Sequence, residues 1–248
     1  MKKIILLLLV LSSFLFAGKT IELAGDKDYP PYSYSENGVA KGIYVDIIKL
    51  AFSKIDAYDV KFNMMAWKKA ITMTKKGMVV GFFPPYYTKS RTKWTKYSEP
   101  ILEETTIIFA KDKILKNKVS FPKDFFGLTV CLNRGFDIAV MGKKDFIKAV
   151  QYKKITVTEA SKNKDCLSRV KRGIADFYIN DQFISLSGFD MIKRGSKVKI
   201  NLGHIGFTLK TKRYPFMKDL ESKLNSVIKK MKLNGEIDKI AKQYRKAL

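Results

Sequence analysis

From Thr20 onward, strand and helix patterns alternate, and they do so twice on the same plan, which restricts the chain to an α/β architecture with largely parallel sheets. Thr20 to Ala24 predicts a strand. Beyond Gly42, Ile47, Ile48, Ala51, Phe52 and Ile55 share one face of a helix. Val60, Phe62 and Met64 alternate as a strand does. A short helix is expected from about Ala66 to Lys76, stopped by Gly77, and Met78 to Phe83 forms the next strand, running into Pro84-Pro85. Thr105 to Phe109 is another extended run. Past the lysine-rich stretch Lys111 to Lys118, Phe121-Pro122 opens a second unit. Its strands are expected at Leu128 to Leu132, Ile155 to Val157 and Ala175 to Ile179, and its helices around Asp145 to Val150 and Asp165 to Arg172. Gly203 to Leu209 reads as a strand running back. Two amphipathic helices close the chain, the first lined by Phe216, Leu220, Leu224, Val227 and Ile228, the second by Ile237, Ile240, Ala241 and Tyr244.

Two similar α/β lobes joined by two extended crossings account for this plan. The expected division is 18–109 with 208–248 for the first lobe and 110–207 for the second, after a leader at 1–17. Crossings of that kind make a hinge that closes on a ligand.

The leader is read from Met1-Lys2-Lys3, the apolar run Ile4 to Phe16 and the small residues Ala17 and Gly18. The run is about 13 residues long, short of the roughly 20 that a spanning helix needs, so a signal peptide is favoured over an uncleaved anchor. No cysteine follows the run, which argues against a lipid anchor. A soluble periplasmic protein, secreted through the Sec pathway with its signal peptide removed, is the expectation.

The formal charge is +25, with 48 Lys and Arg against 23 Asp and Glu. The lysines are spread through every segment without an arginine-rich block carrying interleaved aromatics, so a solvated surface is favoured over a nucleic-acid face. Cys131 in a strand and Cys166 in a helix of the same half are expected to pair in an oxidising compartment, with two buried free thiols as the alternative. His204 is the only histidine, and two cysteines beside it make a poor ligand set, so neither a metal nor another cofactor is expected. A lone histidine near the returning strand is read as structural, with a pH-sensitive contact as the lesser reading.

Arg91 and Asp181 each close a strand-then-turn pattern and carry opposite charges. Across one cleft they would clamp a zwitterion. On spacing alone Arg91 reads as a surface arginine, and Asp181 can equally cap a helix. Tyr29, Tyr32, Trp67, Phe83, Tyr86 and Phe136 fall near loop ends. Aromatics more often build core than cleft, yet sites in open α/β sheets lie at the carboxyl ends of strands. Cleft contact is favoured for Tyr29, Trp67 and Phe136, and a structural place for Tyr32.

Asp28-Tyr29-Pro30-Pro31-Tyr32, Gly42-Ile43-Tyr44-Val45-Asp46, Gly77 through Pro84-Pro85 to Tyr87-Thr88-Lys89-Ser90-Arg91, and Tyr97-Ser98-Glu99-Pro100 occur in this order. With Gly173-Ile174-Ala175-Asp176, Asp181, Asn234-Gly235-Glu236-Ile237 and Tyr244, they make the chain resemble the amino-acid-binding, family 3 type of extracellular solute-binding protein, which serves ATP-binding-cassette importers. The resemblance implies a two-lobed periplasmic-binding-protein-like fold of type II. It implies that Arg91 grips a carboxylate with its guanidinium fork, that Asp181 takes an ammonium, and that Tyr29 packs on the ligand. Two departures stand out. Phe83-Pro84-Pro85-Tyr86 and Arg134-Gly135-Phe136-Asp137 replace small polar groups by bulk, placing Phe83, Tyr86 and Phe136 around the site. A divergent subgroup with a tryptophan at the place of Trp67 shows similar turns.

The expected function is a monomeric periplasmic receptor, without catalytic residues, for a small amino acid or related carboxylate or amine solute, delivered to an inner-membrane ABC permease. The alternative is a ligand-sensing partner of a chemoreceptor or kinase. A dehydratase on the same scaffold ranks below both, with Glu103, Glu104 or Asp137 as its candidate acid.

Overall fold

The computed structural model describes residues 18–246; the segment expected to be a signal peptide lies outside the described residues. In chain order the first part holds strands β1 (Lys19–Asp26), β2 (Asp28–Tyr29), β3 (Ser33–Glu36) and β4 (Val39–Lys41), helix α1 (Ile43–Phe52), β5 (Tyr58–Met65), α2 (Trp67–Lys75), β6 (Gly81–Phe83) and β7 (Thr95–Tyr97). Next come β8 (Leu102–Lys111), α3 (Asp112–Leu115), β9 (Thr129–Asn133), α4 (Ile138–Met141), α5 (Lys144–Gln151), β10 (Thr156–Ala160), α6 (Asn163–Arg172), β11 (Phe177–Asp181) and β12 (Ile192–Gly203). The chain ends with β13 (Gly206–Thr208), α7 (Met217–Leu233) and α8 (Glu236–Lys246).

The strands form two five-stranded sheets, ordered β5-β1-β6-β13-β7 and β10-β9-β11-β8-β12, beside a small sheet β2-β3-β4. In each large sheet three strands run parallel, and the strands arriving from the other half run antiparallel to them. The fold is thus two-lobed α/β, as its alternating pattern implied. The chain passes between sheets twice, from β7 to β8 and from β12 to β13. These two passages are tied side by side: the Ile101 and Ser98 amides donate to Gly203 and Ile205 carbonyls, both at 2.8 Å.

Helices cover both faces of each sheet. In the first lobe α1, α7 and α8 bury Ile47, Ile48, Leu220, Leu224, Ile228 and Ile237 against Leu23 and Phe207, the faces that their periodicity marked. On the opposite face Trp67 and Ala70 of α2 pack on Ala24 and Phe82. The second lobe is built alike, with α5 on one face through Phe146 and Ala149 and α6 on the other through Cys166, Leu167 and Val170.

Cys131 and Cys166 are disulfide-bonded, their Cα atoms 5.5 Å apart, which pins α6 to the central strand β9. The bond spans 35 residues, a loop whose closure restricts the unfolded chain by about 3–4 kcal/mol. Replacing both cysteines by serine is expected to lower unfolding stability by that amount in a denaturant titration. A loss below about 1 kcal/mol would show that the bond contributes little.

Several short elements and one long strand escaped the pattern reading. The β3–β4 hairpin turns on Asn37 and Gly38, both with positive φ (51° and 79°), as a two-residue primed turn demands. The 12-residue edge strand β12 alternates poorly because its register shifts twice between Arg194 and Lys199. Bulges and exposed lysines there protect the edge from pairing with another chain.

Candidate functional site

The carboxyl ends of the parallel strands β1, β6 and β9 converge between the lobes, where ligands of open α/β sheets are held. A cavity lies there, lined by Asp26, Tyr29, Trp67, Pro84, Tyr86, Arg91, Phe136 and Met141. Its free space is about 20 Å³, room for a single water molecule, so a solute of amino-acid size enters only if the lobes part.

Local structure sets each lining residue. The Tyr29 to Tyr32 turn is fastened to α1, whose Ile43 and Tyr44 amides donate to the Pro31 and Tyr32 carbonyls at 3.0 and 2.9 Å. Gly42 allows this closeness, because it has φ 119° and a Cβ there would lie 2.6 Å from the Tyr32 oxygen. Tyr29 then stacks on buried Tyr32 at 5.1 Å and meets Phe136 of the second lobe edge-on at 6.4 Å. Tyr32 is structural, supporting the ring that faces the cavity.

Arg91 opens a single 3-10 turn, held by donation of its amide to Thr88. The residue is only 6 % exposed. Its guanidinium lies 5.8 Å from the Trp67 ring centre and donates to the Tyr86 carbonyl at 3.3 Å and, across the cleft, to the Gly135 carbonyl at 3.5 Å. Burial lowers its pKa, opposed by Tyr97 and Asp137. Beside it Ser90 donates to the Asp137 carboxylate at 2.9 Å, also across the cleft.

Asp181 ends β11, fully buried, and accepts the Phe183 amide at 2.7 Å. It is absent from the cavity wall. Instead it stands with Glu104 of β8, a residue 1 % exposed that receives three tyrosine hydroxyls. Tyr29 and Tyr86 reach one carboxyl oxygen at 2.7 and 2.6 Å, and Tyr44 donates to the other. Burial, then the charge of Asp181, pushes the Glu104 carboxyl up to about 8 despite those donors. The tyrosines are raised in turn, chiefly by burial and next by Glu104. Arg91 and Asp181 therefore belong to two adjoining clusters, linked through Tyr29 and Tyr86, which share in both.

Asp26 is the acid of the cavity wall. Burial raises it to about 7, although its carboxylate accepts the Asp28 amide at 3.1 Å. Asp28 faces the second lobe, where the Asn163 amide at the start of α6 and Lys162 lower a carboxyl that burial raises. Behind it Asn133, Asn163, Tyr178 and Asn180 form a buried polar network.

Of the residues singled out from sequence, Arg91, Tyr29, Trp67, Tyr86 and Phe136 meet at the cavity. Phe83 does not: it lies in the first-lobe core, edge-on to Phe62 at 5.4 Å. Alternation along β6 explains this, since Phe82 and Phe83 point to opposite faces of the sheet. His204 bridges the two crossings, 2.8 Å from the Ser98 carbonyl, and burial lowers its pKa. Asp26 was not read as a site residue, and Glu104 was weighed only as one of three candidate acids for dehydration, not as the acceptor of a tyrosine cluster. An acid three residues before a strongly apolar strand stretch was a usable signal for Glu104, but its three tyrosine donors come from distant segments.

Among the described residues, no group of three or more histidine, cysteine or acidic side chains is placed to hold a metal. No helix among them is long and apolar enough to cross a membrane.

Two α/β lobes on paired crossing strands, with a mostly aromatic cavity between them, define a binding protein of the periplasmic type II class. The chain belongs to the bacterial extracellular solute-binding proteins, family 3, whose model matches residues 21–247. Comparison with curated protein sequences gives no match. Among solved structures, a histidine kinase sensor domain with similarity to periplasmic binding proteins superposes with a TM-score of 0.76 at 18% identity, over 92% of this chain and 96% of that one. A protein from work on glutathione import by GshT and the cystine importer TcyBC of Streptococcus mutans gives 0.75 at 22% identity, over 92% and 95%. An ancestral arginine-binding protein bound to arginine gives 0.74 at 20% identity, over 91% and 97%. At these identities the likenesses establish the fold.

Proposed function

We propose that this protein is a monomeric periplasmic receptor that captures a small amino acid or related carboxylate solute between its lobes and delivers it to an inner-membrane ABC permease. The observation that carries the reading is Arg91: a nearly buried guanidinium in the cavity that meets the Tyr97 hydroxyl and reaches the Tyr86 and Gly135 carbonyls only at the long end of the hydrogen-bond range. A carboxylate offers such a fork shorter, bidentate, charge-assisted bonds. In this reading Tyr29, Trp67, Tyr86 and Phe136 enclose the solute body, and an amine is met on the acidic side by Asp26 or Asp181. Closure occurs about the two tied crossings, with Ser90–Asp137 and Arg91–Gly135 as contacts made on closing.

A thermal-shift screen of the standard amino acids, small carboxylates and amines tests this. A solute held at 100 times its Kd stabilises the folded form by about 2.7 kcal/mol and raises the melting temperature by several degrees. A flat response across all three groups would contradict the proposal.

A sensing role is the second reading, favoured by the likeness to a histidine kinase sensor domain. Neighbouring genes separate the two, a permease and ATPase pair favouring import and a kinase or chemoreceptor favouring sensing. The three acids read from sequence as candidates for dehydration chemistry do not line the cavity. Glu104 is sealed under tyrosine hydroxyls, Glu103 is exposed, and Asp137 is bound to Ser90.

A further inference from the structure

Trp67 is a wall of two spaces between the lobes. One is the cavity that holds Arg91; the other is a more open cavity of about 440 Å³, bounded by Trp67, Lys68 and Lys69 of α2 and by Arg134 and Ser161 of the second lobe. The lobes touch here: a Cβ on Gly135 would lie 3.5 Å from the Lys68 Cβ and 3.5 Å from the Trp67 ring. We propose that this second space receives a second anionic group of the captured solute, held by Lys68, Lys69 and Arg134, so that the solute carries a carboxylate for Arg91 at one end and a carboxylate, phosphonate or sulfonate at the other.

Among the described residues, Lys68, Lys69 and Arg134 bound this space and no acid does. All three side chains are exposed, and no carboxylate among the described residues lies within ion-pair distance of them. The acids of the adjoining turns are engaged elsewhere. Asp28 faces Lys162, Asp165 and the Asn163 amide, and Asp137 faces Ser90, Arg91 and Lys199. Lys68 and Lys69 also stand in the first turn of α2, which has neither an acid nor a side-chain cap. Cations there oppose the helix dipole and cost the helix stability, an arrangement that a bound anion reverses. Lys68 and Lys69 belong to the first lobe and Arg134 to the second, so closing the cleft gathers like charges that repel one another. An anion between them turns that repulsion into a bridge, with the guanidinium fork of Arg134 on one side and two ammonium groups on the other. Ser161 supplies a hydroxyl donor beside them.

The inference rests on the receptor reading for the capture of a carboxylate by Arg91. Its test uses matched probes that differ only in the distal group: L-glutamate with L-glutamine, L-aspartate with L-asparagine, and glutarate with glutaramate, beside inorganic phosphate. Thermal shift and titration calorimetry are read on the intact protein. The member with two carboxylates is expected to bind about ten- to a hundred-fold more tightly than its amide partner, by a margin that shrinks as salt is raised. Lys68→Gln combined with Arg134→Gln changes two exposed side chains, so the fold is kept; this variant is expected to lose the margin and to keep the binding of the amide members, whereas Arg91→Ala weakens both members. Equal or tighter binding of the amide members, or a margin undiminished in the double variant, overturns the inference and leaves the receptor reading standing. Stabilisation by inorganic phosphate that matches that by the dicarboxylates would place a free anion in the space and overturn it as well. Dicarboxylate binding untouched by Arg91→Ala, or a flat response to every probe, sinks the receptor reading together with it.

Discussion

Replacing Arg91 by alanine is expected to weaken binding of a carboxylate solute by about 2–5 kcal/mol, roughly thirty-fold to several-thousand-fold. The size follows from burial. An exposed arginine would contribute less than about 1 kcal/mol to such a contact, but this side chain is held between the Trp67 ring and the carbonyls of Tyr86 and Gly135. The turn that carries it keeps its own amide bonds to Thr88 in the variant, so the loss falls on the ligand rather than the fold. Arg91→Lys keeps the charge without the planar fork and should recover only part of the affinity. Titration calorimetry with a solute found by thermal shift measures both. Equal affinity of wild type and Arg91→Ala would remove the carboxylate grip from the account.

The second large effect concerns stability. Glu104→Ala leaves three tyrosine hydroxyls without their acceptor and opens a void at the root of the cleft, and is expected to destabilise by about 3–5 kcal/mol in urea unfolding. Glu104→Gln keeps an acceptor oxygen and should lose about 1–2 kcal/mol. The pH dependence carries the opposite sign to that of an ordinary salt-bridged acid. Burial holds Glu104 at about 8 and Asp26 at about 7 in the folded protein, above their ordinary values of 4.5 and 3.8. Their contribution is therefore fully present below the unfolded values and is lost as pH rises through about 7 for Asp26 and about 8 for Glu104. Stability of Glu104→Gln and Asp26→Asn should fall less steeply over that range than that of the wild type. Parallel profiles would show that these carboxyls are not raised.

Much of this fold was legible because its signals are local. The 3.6-residue face of α7, the alternation of β5 and the stop at Gly77 all mark elements without reference to distant parts of the chain. Tyr29, Trp67 and Phe136 were readable for a related reason: each follows a strand end, and strand ends in such sheets point at the cleft; Arg91 by itself reads as a surface arginine and was singled out only by the ordered motifs of the family resemblance. What stayed hidden depends on tertiary partners. Glu104 reads as one of two adjacent acids, and only folding shows that Glu103 is exposed while Glu104 collects hydroxyls from residues 29, 44 and 86. Asp181 was read as the partner of Arg91 across a cavity, whereas the structure sets it beside Glu104. Phe83 was read into the site with its neighbours, but strand alternation turns it into the core.

Everything proposed for this protein depends on a carboxylate solute being held in the cleft by Arg91. Native mass spectrometry of the intact protein, exposed to a mixture of the standard amino acids and small carboxylates, tests it most directly. A one-to-one adduct with the mass of a carboxylate-bearing solute is expected in the wild type and is expected to be lost in Arg91→Ala while that variant stays folded. No adduct from the mixture, or the same adduct undiminished in Arg91→Ala, would contradict it.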